Sequence, residues 1–207
     1  TGIEHGTITV LLDHEGYEVT TYRIDGKYED NRHPKEVTFT RSLKEDLLRR
    51  DFTINALAYN ISDFSIVDYC DGIIDLNQRL IRTIRDPYTR FKEDPVRMLR
   101  AIRFSASHNF VIENIVWEAI CNLSYTISNV SPARLYEEIQ KLFLFGFSKN
   151  VFHLFIKSGL LSALFPDILR WISLSRKNMS LIYNNLDYLD KLYKDGKTLS
   201  IELFLTF

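Results

Sequence analysis

The chain has 207 residues, with 26 Lys+Arg against 27 Asp+Glu, 45% hydrophobic residues and 26% charged ones. That balance fits one large globular domain or two small ones and excludes disordered, collagen-like and mucin-like chains. Two cysteines, Cys70 and Cys121, are too few for a disulfide framework or a Cys-rich metal site and point to a reducing compartment, and no run of about 18 apolar residues is present to cross a membrane.

The chain starts at Thr1 with no basic-then-apolar leader, so a piece of something longer is expected. Thr7–Leu11 and Tyr17–Tyr22 alternate and are rich in β-branched residues; with the turn-like Asp13–Gly16 between them they predict a hairpin. Residues 25–40, polar and broken by Gly26 and Pro34, read as a loop. Ser42 with Glu45 forms a capping box that opens a helix over Leu43–Arg50, and Asp51 is placed to cap a second over Phe52–Tyr59. Ile66–Tyr69 reads as a short strand and Asp71-Gly72 as a turn. Beyond residue 73 helical signals dominate. Asp86-Pro87, Asp94-Pro95 and Ser131-Pro132 each set a capping residue before a proline suited to a first helical position. Breaks are expected near Gly146, Gly159, Pro166 and Gly196. The fold class is α+β: a small β-rich head, then a helical body.

Charge is unevenly placed. Residues 1–78 carry 8 Lys+Arg against 15 Asp+Glu, residues 79–103 carry 8 against 3, and residues 104–207 carry 10 against 9. Clustered carboxylates attract divalent metals and basic runs attract phosphates, although ordinary solvated faces show the same runs.

Glu18 stands mid-strand in opposite phase to Val19, where a carboxylate can face a site while its neighbours pack inward; on spacing alone an ordinary solvent-facing residue is the favoured reading. Arg49-Arg50-Asp51 offers cations and a carboxylate near a helix start, a place for a phosphate or for simple capping. In Glu93–Phe104, Met98, Leu99 and Ile102 form a core stripe. Asp94 and Arg97, three apart, would share one face. There the carboxylate can accept from the exocyclic amine of cytosine or adenine, and the guanidinium can donate to the adjoining ring nitrogen or carbonyl. Uracil and guanine lack that amine, so such a pair favours C and A; an N-cap on a charged helix explains the same residues. Arg100 and Arg103 continue the step, drifting by about 60° each time, so Arg103 ends roughly half a turn from Asp94. Arg134 and Glu138, four apart, read as a structural ion pair. The five histidines are scattered without metal-ligand spacing, and no Gly-rich phosphate loop, serine triad or zinc signature occurs.

Taken in order, several segments resemble the bacterial tRNA nucleotidyltransferase (CCA-adding enzyme) and poly(A) polymerase family of the DNA polymerase β-like superfamily. They are Gly2–Val10, Glu18–Arg23, Arg49–Ala56, Asp68–Asp75, Glu93–Arg97 and Ser131–Leu135, covering residues 1 to 145 specifically, with Leu164-Phe165-Pro166 a weaker remnant. The resemblance implies a nucleotidyltransferase head over residues 1–84, a helical neck with the nucleotide-reading motif over 85–145 and a helical body over 146–207. It implies attack of the tRNA 3′ end on the α-phosphate of CTP or ATP in the cytoplasm, without a template, with two Mg²⁺ ions and no membrane. Carried over, Arg50 contacts the nucleotide's phosphates, Asp51 its ribose, Asp94 and Arg97 the base edge, Arg100 and Arg103 line the site, and Glu18 is the third catalytic carboxylate. The family's first block, with its Asp-x-Asp metal pair, is absent. The chain is therefore expected to be a fragment, incomplete at both ends, with no metal ligands of its own and no activity alone. Ala133 leans toward poly(A) polymerases or A-adding variants, whereas Gly2–Thr7 and the loop Asp25–Phe39 favour CCA addition. A non-catalytic RNA- or nucleotide-binding relative is the alternative of another class, which an upstream Asp-x-Asp would exclude.

Overall fold

Alternating β-branched residues give strand β1 (Thr7–Leu12), which pairs antiparallel with β2 (Glu15–Thr20) from Thr7↔Thr20 to Leu12↔Glu15. In this computed structural model, which describes residues 6–26 and 37–200, the hairpin turns at Asp13 and His14, both at positive φ, so the turn is shorter than expected and Gly16 lies in β2. Residues 1–5, which hold most of the expected Gly2–Thr7 block, 27–36 and 201–207 lie outside the described residues. Ile8, Val10, Tyr17 and Val19 share one face of the hairpin and are all exposed. The neighbours of Glu18 therefore do not pack inward as expected.

The expected loop over 25–40 has paired ends, β3 (Arg23–Asp25) and β4 (Val37–Phe39). Helix α1 (Leu43–Leu48) begins where the capping box places it, with Ser42 Oγ accepting the Glu45 N–H at 3.3 Å. The expected second helix over Phe52–Tyr59 does not form. The Asp51 carboxylate accepts the adjacent Phe52 N–H at 2.9 Å instead of one further along. A 3₁₀ turn over Thr53–Asn55 leads into β5 (Leu57–Asn60), which finds its ladder with β6 (Ser65–Asp68).

Asp71-Gly72, expected as a turn, starts helix α2 (Gly72–Gln78). Its cap is Asp68, whose carboxylate accepts the N–H groups of Cys70 and Gly72 at 3.0 Å and of Ile73 at 2.9 Å. Gly72 is required by close approach, since a Cβ there would meet the Thr53 carbonyl oxygen at 2.3 Å. Across that contact the Thr53 hydroxyl donates to the fully buried Asp75 carboxylate at 2.6 Å.

Strand β7 (Leu80–Ile81) leads to α3 (Pro87–Glu93), capped by Asp86, and α4 (Val96–His108). Strand β8 (Val111–Ile112) lies parallel to β7. Then follow α5 (Asn114–Leu123), a 3₁₀ segment over Ser124–Asn129, α6 (Pro132–Phe143), α7 (Ser148–Ser158), α8 (Leu160–Leu164), α9 (Pro166–Leu174) and α10 (Arg176–Lys194). The breaks fall at the expected glycines and proline. One hydrophobic cluster runs from Phe52 through Phe91, Met98, Leu99, Ile102 and Leu142 to Leu189, with Phe143 and Phe155 packed edge to face at 5.7 Å. A smaller cluster of Leu47, Ala56 and Ile84 lies under the strand-rich end. The α+β expectation holds: short antiparallel pairs first, then helices with the short parallel β7–β8 pair among them.

Candidate functional site

Apart from Glu18, the nucleotide-site residues singled out in the sequence gather around the C-terminal end of α1 and the start of α4. Arg50 follows α1. Its Nη1 donates to the Asn55 carbonyl at 2.9 Å and its Nη2 to Asp46 at 3.4 Å, which uses two of five guanidinium donors, and the side chain is 40% exposed. Asp46, only 1% exposed, also takes both Nε and Nη2 of Arg49 at 3.0 and 2.8 Å and the Arg23 backbone N–H at 3.2 Å. Burial alone would raise the pKa of Asp46; these donors outweigh it and hold the carboxyl below the usual carboxylate range.

Asp51 is buried. One oxygen accepts from Phe52 N–H and from Asn55 Nδ2 at 3.1 Å, while the other takes Arg100 Nε at 2.5 Å. The guanidinia of Arg100 and Arg103 lie 5.7 and 4.9 Å from the Phe104 ring centroid. Burial pushes the Arg103 pKa down, the Glu138 charge opposing it, with Arg100 lowering it further and Asp51 raising it. Although half a turn from Asp94 by helical arithmetic, Arg103 thus lies within reach of the Glu138, Arg100 and Asp51 charges.

Asp94 is not a helical residue. It ends α3 with extended backbone (φ −151°, ψ 99°), so it and Arg97 do not share a helix face as expected. Its Oδ1 accepts the Val96 N–H at 3.1 Å, capping α4, and its Oδ2 takes Arg134 Nη2 at 2.6 Å. The expected Arg134–Glu138 pair is replaced: Arg134 reaches 40 residues back to Asp94, and Glu138 pairs with Lys141 at 3.0 Å. Arg97 donates to the Arg90 carbonyl at 3.0 Å and to Glu93 at 2.9 Å. Glu18 is exposed on β2 opposite Thr9 and makes no hydrogen bond or ion pair among the described residues.

Sequence reasoning overlooked Asp46, Asn55, Arg90 and the destination of Arg134. Arg90 precedes Glu93 by three, a helical spacing that would have flagged that pair. Among the described residues, no three His, Cys, Asp or Glu side chains gather to hold a metal ion.

The set assembled here has cations and carboxylates interleaved at hydrogen-bond distance beside a partly exposed arginine side chain, an arrangement suited to a phosphorylated, hydrogen-bonding ligand. Comparisons with known proteins agree. Residues 1–82 match the family model of the "Poly A polymerase head domain" and residues 109–172 that of the "Probable RNA and SrmB- binding site of polymerase A". A CCA-adding enzyme of Pediococcus pentosaceus is 49% identical over 144 residues, 70% of this chain and 36% of that one. The crystal structure of the Bacillus stearothermophilus CCA-adding enzyme in complex with CTP is 36% identical, with a TM-score of 0.67 over 75% of this chain and 37% of that one. A tRNA nucleotidyltransferase complexed with a primer tRNA and an incoming ATP analog is 26% identical, with a TM-score of 0.62 over 88% of this chain and 57% of that one. The chain thus spans little more than a third of the curated relative's length. With both family models matched in order, the chain belongs to the tRNA nucleotidyltransferase and poly(A) polymerase family.

Proposed function

We propose that this chain forms the head, neck and part of the body of a cytoplasmic enzyme that adds CCA to the 3′ end of tRNA from CTP and ATP. The observation that carries the reading is the 49% identity to a CCA-adding enzyme over 144 residues, 70% of this chain. The tRNA 3′-hydroxyl oxygen bonds to the α-phosphorus of the incoming nucleotide and loses its proton. The α–β bridging P–O bond breaks, and pyrophosphate leaves.

In this reading residues 1–84 are the head, 85–145 the neck and 146–207 the body. Arg50, with donors to spare and its side chain partly exposed, grips phosphate oxygens. Asp51, already holding Arg100 and Asn55, retains capacity for a ribose hydroxyl. Asp94 and Arg97 read the amine-bearing edge of C or A, and Arg100 and Arg103 line the nucleotide. Glu18 serves as the strand carboxylate of the reacting centre. Mg²⁺ belongs to this proposal, but the described residues do not fit it as a site by themselves.

The test is incorporation of CTP, ATP, UTP and GTP into tRNA lacking its 3′ end by the full-length protein. CTP and ATP extension, stopping after CCA, supports the reading. A ladder of many A residues would favour poly(A) synthesis, the alternative toward which Ala133 leans. Tight RNA binding with no extension would leave a non-catalytic binding relative.

A further inference from the structure

Arg90, on α3, is 2% exposed, and its guanidinium joins two stretches that the proposed function uses for opposite ends of one nucleotide. Its Nη2 donates to the backbone carbonyls of Arg49 at 2.5 Å and Arg50 at 2.7 Å. Its Nη1 donates to Glu93 at 2.5 Å, and the same Glu93 oxygen accepts Arg97 Nη1 at 2.9 Å. Arg97 in turn donates to the carbonyl of Arg90 itself at 3.0 Å.

We propose that Arg90 is a positioning residue for base selection, a strut that fixes the spacing between the phosphate-gripping Arg49–Arg50 segment and the base-reading Glu93–Arg97 segment. The proposal rests on the reading of Arg50 and Arg97 as nucleotide contacts. The physical ground is the fork. A planar guanidinium can hold two carbonyls and a carboxylate at once with one geometry, whereas an ammonium is a point charge on a flexible stem. A base edge is read by hydrogen bonds whose geometry tolerates only a few tenths of an ångström of error. If the phosphate grip and the base reader can shift relative to each other, a nucleotide held by its phosphates can slide until a wrong base finds partners. Loss of the strut therefore relaxes selection and does more than slow the reaction.

The experiment measures kcat/KM for CTP and UTP in the full-length enzyme for four forms: unaltered, Arg90→Lys, Arg97→Ala, and the double variant. Arg90→Lys is expected to cut the CTP-over-UTP ratio by about tenfold, and the double variant to show the ratio of Arg97→Ala alone, because Arg90 acts through that segment. A wild-type ratio in Arg90→Lys, with equal losses for both nucleotides, overturns the strut. So does a double variant in which the two factors multiply. An unchanged ratio in Arg97→Ala overturns the underlying base-reading assignment, a result distinct from either. Thermal melting identifies variants that fold. Should Arg90→Lys not fold, Glu93→Gln weakens the same link and is judged by the same ratio.

Discussion

At the scale of single residues, the site is governed by carboxylates that are already committed. Asp46 is the clearest, buried and ringed by Arg23, Arg49 and Arg50 donors that keep it ionised against the cost of burial. A carboxyl whose pKa is lower folded than unfolded adds stability above its unfolded pKa, and that contribution is lost as pH falls through the folded value. Asp46→Asn is therefore expected to lower the urea midpoint at pH 7 and to flatten the loss of stability below about pH 4. An acid limb as steep as in the unaltered protein would show that Asp46 is not a contributor. Asp94 divides its two oxygens between the Val96 N–H and Arg134. Asp94→Ala should lower discrimination of CTP from UTP by about 1–3 kcal/mol in kcat/KM. Asp94→Asn, which keeps an acceptor for Val96, should fall between. Undiminished rejection of UTP by Asp94→Ala would remove Asp94 from base reading.

At the scale of elements, the short helix α2 shows how a head segment is held by a cap that is not its neighbour. Asp68 lies at the end of β6 and takes three N–H groups across the turn. Asp68→Ala should cost about 1–2 kcal/mol, read as a shift in denaturant midpoint, and Gly72→Ala should be destabilising through its collision with the Thr53 carbonyl. A neutral Asp68→Ala would mean that α2 does not depend on this cap, and a neutral Gly72→Ala that α2 is not clamped to the Thr53 turn.

Local signals were legible in the sequence for this reason: Ser42 and Asp86 cap helices using N–H groups three residues away, within the same short window that a reader scans. Asp51 failed as a cap because its carboxylate is drawn to Phe52, Asn55 and, 49 residues on, Arg100. The Arg134 partner of Asp94 and the carbonyl contacts of Arg90 were likewise invisible, since an ion pair or hydrogen bonds bridging 40 residues leave no periodicity behind. Residue types at the site could be named from sequence, but which side chain holds which could not.

At the scale of the whole molecule, one cluster continues from α3 and α4 through α6 and α7 to α10 without an apolar gap. Helices α3 to α10 should therefore melt as one unit. Leu142→Ala, at a fully buried position of α6, is expected to lower that transition by about 2–5 kcal/mol without splitting it in calorimetry. Two separated transitions would refute a shared core. The β1–β2 hairpin, exposed on both faces, should exchange its amide hydrogens far sooner than α4.

That same hairpin sets a condition for handling the chain. Among the described residues β1 and β2 form a two-stranded sheet, so each strand leaves an outer row of N–H and C=O groups beside exposed Ile8, Val10, Tyr17 and Val19. No proline interrupts β1 or β2, and the sole carboxylates in them are Glu15 and Glu18. Such an edge is a template for strand addition by another molecule. Concentrated solutions of the 207-residue chain should self-associate through these strands, and a lysine at Val10 or Leu11, facing solvent, should suppress it in light scattering without shifting the melting of the helices.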